Sequence, residues 1–258
     1  MKPNRIFNFN RFLLLLRNDL FRNYRTLLIG AGTVAAIYFV ATLTPMIFSR
    51  ENIGYDFNTG FFPTVLYICG FLLSAAAFGE IHHTQKNTAF FMLPATTFEK
   101  FTSRLLLTTI GYLVISVVFY FILNMLSLLL SALFINSGFP VFNPFSEDML
   151  MAIAIYLITQ SIFLFGSIFF KNHAFMKTGL SLFGLSVVIG IFASIVFRIV
   201  YHDFFDHMRF MDNYMASDFI YLENFGETLL SIVKHIFWFV LAPYFWIVAY
   251  FRLSEKEV

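Results

Sequence analysis

Six windows of the chain carry no charged side chain and are long enough, or nearly so, to cross a bilayer: Leu27–Phe48, Phe61–Gly79, Leu105–Ile135, Met149–Phe170, Thr178–Phe197 and Ile236–Phe251. A helix needs about 20 apolar residues to traverse the hydrocarbon. The third window exceeds that and must tilt or project, while the sixth extends toward its N-terminus through the apolar stretch Leu229–Val233. Runs such as Leu105-Leu106-Leu107 and Leu128-Leu129-Leu130 do not alternate, which excludes the period-two pattern of a membrane barrel. With 59% apolar and 12% charged residues in 258 positions, a soluble domain could not hide this surface in one core. The sequence therefore predicts an all-α integral membrane protein with six transmembrane helices. One membrane domain occupies residues 1–258: an amphipathic helix over 1–26, the six helices over 27–251, and a tail over 252–258.

Charge sets the expected orientation. Thirteen of the seventeen Lys and Arg residues fall before the first span, in the second and fourth connections, and in the tail, whereas ten of the fifteen acids fall on the other side. By the positive-inside rule both termini are expected in the cytoplasm of a cell with this chain in its inner membrane. The apolar run Phe12–Leu16 is cut short by Arg17, too early for a signal-peptide core, so no cleavable signal is expected. The net charge of +2 is too mild, and the basic residues too dispersed, for a nucleic-acid partner.

Two segments outside the windows carry a pattern. From Arg5 to Arg25, helical spacing gathers Phe9, Phe12, Leu13, Leu16, Leu20 and Tyr24 on one side and Arg11, Asn18, Arg22 and Arg25 on the other, as in an interfacial helix whose basic face meets lipid phosphates. In the second connection, Phe90-Phe91-Met92-Leu93 ends at Pro94, and Thr96-Thr97-Phe98-Glu99 has the spacing of a capping box, so a helix should start near Thr97 and run through Lys100 into the third span. The stretch before it, with Glu80, His82, His83 and Lys86, forms a short surface helix that presents Phe90 and Phe91 either to a protein partner or to the ends of the chain's own helices.

Chemistry is sparse. The span interiors hold no ionisable side chain, and Asn124 and Gln160 suit hydrogen bonding between helices as well as contact with a substrate. His-Glu-x-x-His, Gly-x-Ser-x-Gly and the phosphate loop Gly-x-x-x-x-Gly-Lys-Ser/Thr are all missing, so catalysis and ATP hydrolysis by that loop are not expected. Cys69 is the sole cysteine, which excludes an intrachain disulfide and a cysteine-based metal site. In the long acidic stretch Tyr201–Thr228, His202, Asp203, Asp206 and His207 offer nitrogen and oxygen donors at helical spacing, against the alternative of an amphipathic helix at the opposite interface. No cofactor is expected. Small residues at packing spacing (Gly30, Gly32, Ala35 and Ala36; Gly70 and Ser74; Ser186, Gly190 and Ser194) mark close helix approaches, within one chain or between copies. Pro243 should kink or break the sixth span.

Six spans, a basic N-terminal helix and the segment Leu93-Pro94-Ala95-Thr96-Thr97-Phe98-Glu99-Lys100-Phe101-Thr102-Ser103-Arg104-Leu105-Leu106 together resemble the membrane subunits of ABC exporters of the type-two permease superfamily. The tail Tyr250–Val258 is similar to tails in bacterial members of that group. The resemblance implies an exporter permease that pairs with a second copy or a related permease and with separate ATPase subunits, and moves a hydrophobic or amphipathic molecule. It assigns the residues from Glu80 to Phe91, with Glu99 and Lys100 beside them, to an ATPase-coupling loop. The dimer contact falls on Gly32, Ala36, Ser186, Gly190 and Ser194. Two other classes stay open: a membrane scaffold or sensor that recruits a cytoplasmic partner without transport, and an intramembrane enzyme acting on lipid through His202, Asp203, Asp206 and His207.

Overall fold

The computed structural model describes residues 7–48, 56–82, 84–134, 139–200 and 231–257, and no strand occurs among them. In chain order the helices are α1 (Phe9–Phe48), α2 (Asp56–Ala76), α3 (Thr84–Phe91), α4 (Thr97–Leu106), α5 (Tyr112–Phe134), α6 (Glu147–Phe169), α7 (Ala174–Val200) and α8 (Leu241–Glu257). A 3-10 turn, Gly79–His82, precedes α3, and wide π turns at Leu107–Gly111 and Ile236–Val240 interrupt the third and sixth spans. Six stretches are long and apolar enough to cross a membrane: Tyr24–Pro45, Phe57–Ala76, Thr97–Ala132, Glu147–Phe169, Ala174–Val196 and Ser231–Lys256. The chain is an all-α, multi-pass membrane protein with both ends of its described helices on one side, called here the terminal side.

The amphipathic segment expected over 1–26 is not separate from the first span. Both belong to the continuous 40-residue α1, about 60 Å long at 1.5 Å per residue, twice the roughly 30 Å hydrocarbon thickness. Neither Gly nor Pro falls between Phe9 and Ile29 to break the hydrogen-bond ladder. The third span is likewise long: α4, the π turn and α5 form one rod in which α4 projects on the terminal side beside the N-terminal half of α1. Pro243 does not break the sixth span. The π turn immediately before it places the residue four positions back, Phe239, in a widened turn where the proline ring is accommodated.

Burial is uneven. Half of the α6 span is buried, whereas α7 is buried only near its start, at Thr178, so α6 is the central helix and α7 is peripheral. On the side opposite the termini, Tyr38, Phe62, Leu66, Tyr120, Phe142, Met149 and Tyr156 form one core. Its rings pack edge to face or tilted, with centroids 5.5 Å apart for Tyr38–Tyr120 and 4.7 Å for Tyr120–Phe142, which gives part of the aromatic content a packing role. On the terminal side Phe78, Ile81, Phe90, Phe101, Leu164, Ile168, Ala249 and Leu253 form a second core, closed at its edge by Lys256 Nζ, which donates to the Ile168 carbonyl at 2.7 Å near the end of α6.

Between the cores the spans are tied by side chains that reach backbone carbonyls. Tyr156 donates to Thr108 O at 2.6 Å, within the π turn, and Tyr112 donates to Leu66 O at 3.2 Å. These rings fit only because Gly70 has no Cβ: one there would run into Tyr156 and Tyr112. The Gly70 and Ser74 pair is therefore a close approach within this chain, of α2 to α6.

Candidate functional site

The polar feature that distinguishes the terminal side is a set of charged side chains buried between α1, the 79–93 connection and α4. It starts from a local signal. Thr96 is the N-cap of α4: its hydroxyl accepts from Glu99 N at 3.2 Å, and Glu99 Oε2 accepts from Thr96 N at 2.9 Å. The other oxygen, Glu99 Oε1, accepts from Asn8 N at 2.6 Å and from Arg11 Nη2 at 3.0 Å, so a helix cap also holds the start of α1. Glu99 has no exposed surface, and both of its oxygens are engaged within the chain.

One residue on, Lys100 donates to Phe91 O at 3.2 Å, with its ammonium 5.4 Å above the Phe90 ring and 5.8 Å from that of Phe91. A turn later Arg104 gathers the remaining charges. Its Nη2 lies 3.0 Å from Glu80 Oε2, its Nε 3.6 Å from Asp19 Oδ2, and its Nη1 donates to Ala77 O, while the guanidinium stacks 4.7 Å from the Phe90 ring. Glu80 Oε1 in turn meets Arg22 Nη1 at 3.1 Å. Burial pushes the Asp19 carboxyl above its ordinary range, opposed by the positive charge of Arg104. Every charge within the module has a partner of opposite sign or a carbonyl, the condition on which charges persist away from water.

The amphipathic reading of α1 is thus altered at its basic face. Arg11 and Arg22 point to Glu99 and Glu80 and not to lipid phosphates, while Phe9, Leu14 and Phe21 are exposed. The apolar knot changes too. Phe90 is buried in the terminal-side core and Phe91 packs against it, so these rings cover the chain's own helix ends; the exposed member of the knot is Met92, at 77%. His82 is half-buried, with Nε2 3.1 Å from Ser167 O. His83 and the side chain of Lys86 lie outside the described residues, as do His202, Asp203, Asp206 and His207.

The small-residue stripes divide by location. Gly32, Ala36, Ser186, Gly190 and Ser194 are all exposed, and a Cβ at Gly32 or Gly190 would meet nothing within 4 Å. From Phe183 to Val196 every residue of α7 is exposed among the described residues.

The two polar residues at depth have neighbours. Gln160 Oε1 accepts from Ser74 Oγ at 3.3 Å, joining α6 to α2. Asn124 is more elaborate: its Oδ1 accepts from Phe142 N at 2.9 Å and its Nδ2 donates to Pro140 O at 3.1 Å, while Asn58 Nδ2 donates to that same carbonyl at 3.1 Å. The spacing of Asn58, Asn124 and Pro140 in the chain contains no signal for this clamp. No group of three His, Cys, Asp or Glu residues that could hold a metal ion occurs among the described residues. Compared with known proteins, the chain matches no family model, no curated protein and no solved structure.

Proposed function

We propose that the protein is the membrane-spanning permease subunit of an ATP-driven ABC exporter, with its terminal side in the cytoplasm of a bacterial inner membrane, moving a hydrophobic or amphipathic molecule and hydrolysing no ATP itself. The observation that carries this reading is the mechanical continuity of the charged module. The connection holding α3 is fixed to α4 by Glu80–Arg104 and by Lys100 on the Phe91 carbonyl, and α4 is fixed to α1 by Glu99–Arg11. A displacement applied to α3 from the cytoplasm passes directly to the first and third spans, which is what coupling to a separate ATPase requires. The Lys and Arg bias toward the terminal side supports the orientation. The lengths of α1 and α7 that are exposed among the described residues support pairing with a second copy or a related permease, through Gly32, Ala36, Ser186, Gly190 and Ser194.

Within this reading Glu99 and Lys100 hold the coupling loop in place from inside, and the contact surface includes the exposed Met92 at the end of α3. The test is photo-crosslinking from Met92, replaced by a benzoyl-phenylalanine, in native membranes. Capture of a protein with the phosphate loop Gly-x-x-x-x-Gly-Lys-Ser/Thr is expected. Capture of a protein without that loop favours the scaffold or sensor reading. No adduct at all, with the variant inserted and folded, removes the coupling role of this surface.

A further inference from the structure

A cavity of about 350 Å³ opens on the terminal side where the second, fourth and fifth spans end, within the size range of small-ligand sites. Its polar wall consists of His82, Ser167, Asn172 and His173. Its apolar wall includes Ala76, Phe170 and Phe175, and at Gly79 a Cβ would meet nothing, so that edge is open. Asn172 and His173 both take left-handed backbone conformations, with φ of 65° and 51°, which non-glycine residues adopt at a cost and which recur at ligand-holding turns.

On the α7 side of the lining the neighbouring charges are positive. Lys171 adjoins the lining, and Lys177, one turn into α7, is drawn back over it by a 2.9 Å bond from Nζ to the Lys171 carbonyl. Neither lysine is ion-paired with an acid among the described residues, and both are exposed. The nearest acid in sequence to the lining, Glu80, is engaged by Arg22 and Arg104. One turn apart on α7, Met176 and Leu180 are 68% and 71% exposed, an apolar track on the exposed face of that helix.

A cavity with polar and apolar walls, lysines beside it that have no acid partner among the described residues, and an exposed apolar helix face leading from it matches one chemical class. We propose that it binds the phosphate headgroup of an anionic phospholipid from the leaflet on the terminal side, with Lys171, Lys177 and His173 around the phosphate and an acyl chain along Met176 and Leu180. This site borders the charged module at the turn Gly79–His82 but uses none of its ion pairs, and it stands whether or not the chain is a permease.

The test uses the full-length protein in mixed phosphatidylglycerol and phosphatidylcholine micelles, with retained lipid counted by native mass spectrometry. Wild type should retain phosphatidylglycerol over phosphatidylcholine. The triple variant Lys171→Gln, Lys177→Gln, His173→Ala should lose about fivefold or more of that preference, on the scale of one basic contact to an anionic surface. Ala76→Trp, which fills the cavity without changing charge, should lose it as well, at unchanged helix content and monodispersity. Arg17→Gln with Arg25→Gln, on exposed positions of α1, should retain it. Wild-type preference in both cavity variants, or an equal loss in the α1 control, overturns the site. Binding of inorganic phosphate to lipid-free protein, with displacement of phosphatidylglycerol by that phosphate, identifies a soluble anion as the ligand and overturns the lipid assignment.

Discussion

Arg11 Nη2 lies 3.0 Å from Glu99 Oε1, an ion pair between residues 88 positions apart that joins the first helix to the cap of the third span. Glu99 is fully buried and Arg11 is 38% exposed, so the two ends of the pair are not equivalent. Removing a buried charge partner costs about 3–5 kcal/mol when the other is left stranded, but a half-exposed arginine is rehydrated. Arg11→Ala, which strands the buried Glu99 carboxylate, should therefore lower the apparent melting temperature in detergent more than Glu99→Gln, which keeps an acceptor for Thr96 N and leaves an arginine that water can reach. Equal shifts would show that water reaches Glu99.

Asp19 gives the module a pH dependence whose sign follows from its raised pKa. A carboxyl that binds its proton more tightly in the folded chain than in the unfolded one favours folding at low pH, and this contribution declines as pH rises from the ordinary carboxylate range, about 4, through the raised value. Replacing Asp19 with Asn should flatten that part of the stability profile while leaving Glu80–Arg104 intact. Thermal unfolding of both proteins across the mildly acidic range checks it; an unchanged slope places the titration elsewhere.

Gly70 faces the rings of Tyr156 and Tyr112, and Gly166 faces Thr178. Gly70→Val should destabilise by about 1–3 kcal/mol through overpacking, and Tyr156→Leu added to it should restore less than the steric loss, because the Thr108 carbonyl then lacks its donor. A double-mutant cycle by denaturant titration measures the coupling.

Asn124 holds the turn before α6 through Phe142 N and Pro140 O. Asn124→Leu strands a buried N–H, a loss of about 1–3 kcal/mol. Hydrogen exchange should rise at Phe142 first, before any change in α6. Protection retained at Phe142 would mean another group takes that bond.

The exposed α7 stripe can be probed in a Cys69→Ser background, which leaves no other thiol. Under the proposed pairing, Gly190→Cys should form a disulfide-linked dimer in membranes on mild oxidation, whereas Val118→Cys, exposed on α5, should not. The same yield from both positions would point to random collision.

The six spans and the helix start at Thr96 were legible in the sequence because hydrocarbon solvation and capping depend on residues close together in the chain. The capping box at Thr96 and Glu99 is a four-residue signal and formed as such. What periodicity could not reveal was which face of α1 meets protein. Arg11 and Arg22 have the pattern of an interfacial helix, and only acids 88 and 58 positions away, at Glu99 and Glu80, turn that face inward. The same limit applied to Phe90, apolar either as a docking residue or as core, and to Gly70 and Gly190, alike in spacing but different in surroundings. Sequence determined the solvent, the number of spans and the cap at Thr96. The tertiary structure decided the partners, since a charge or a small residue carries no record of the distant segment that will lie against it.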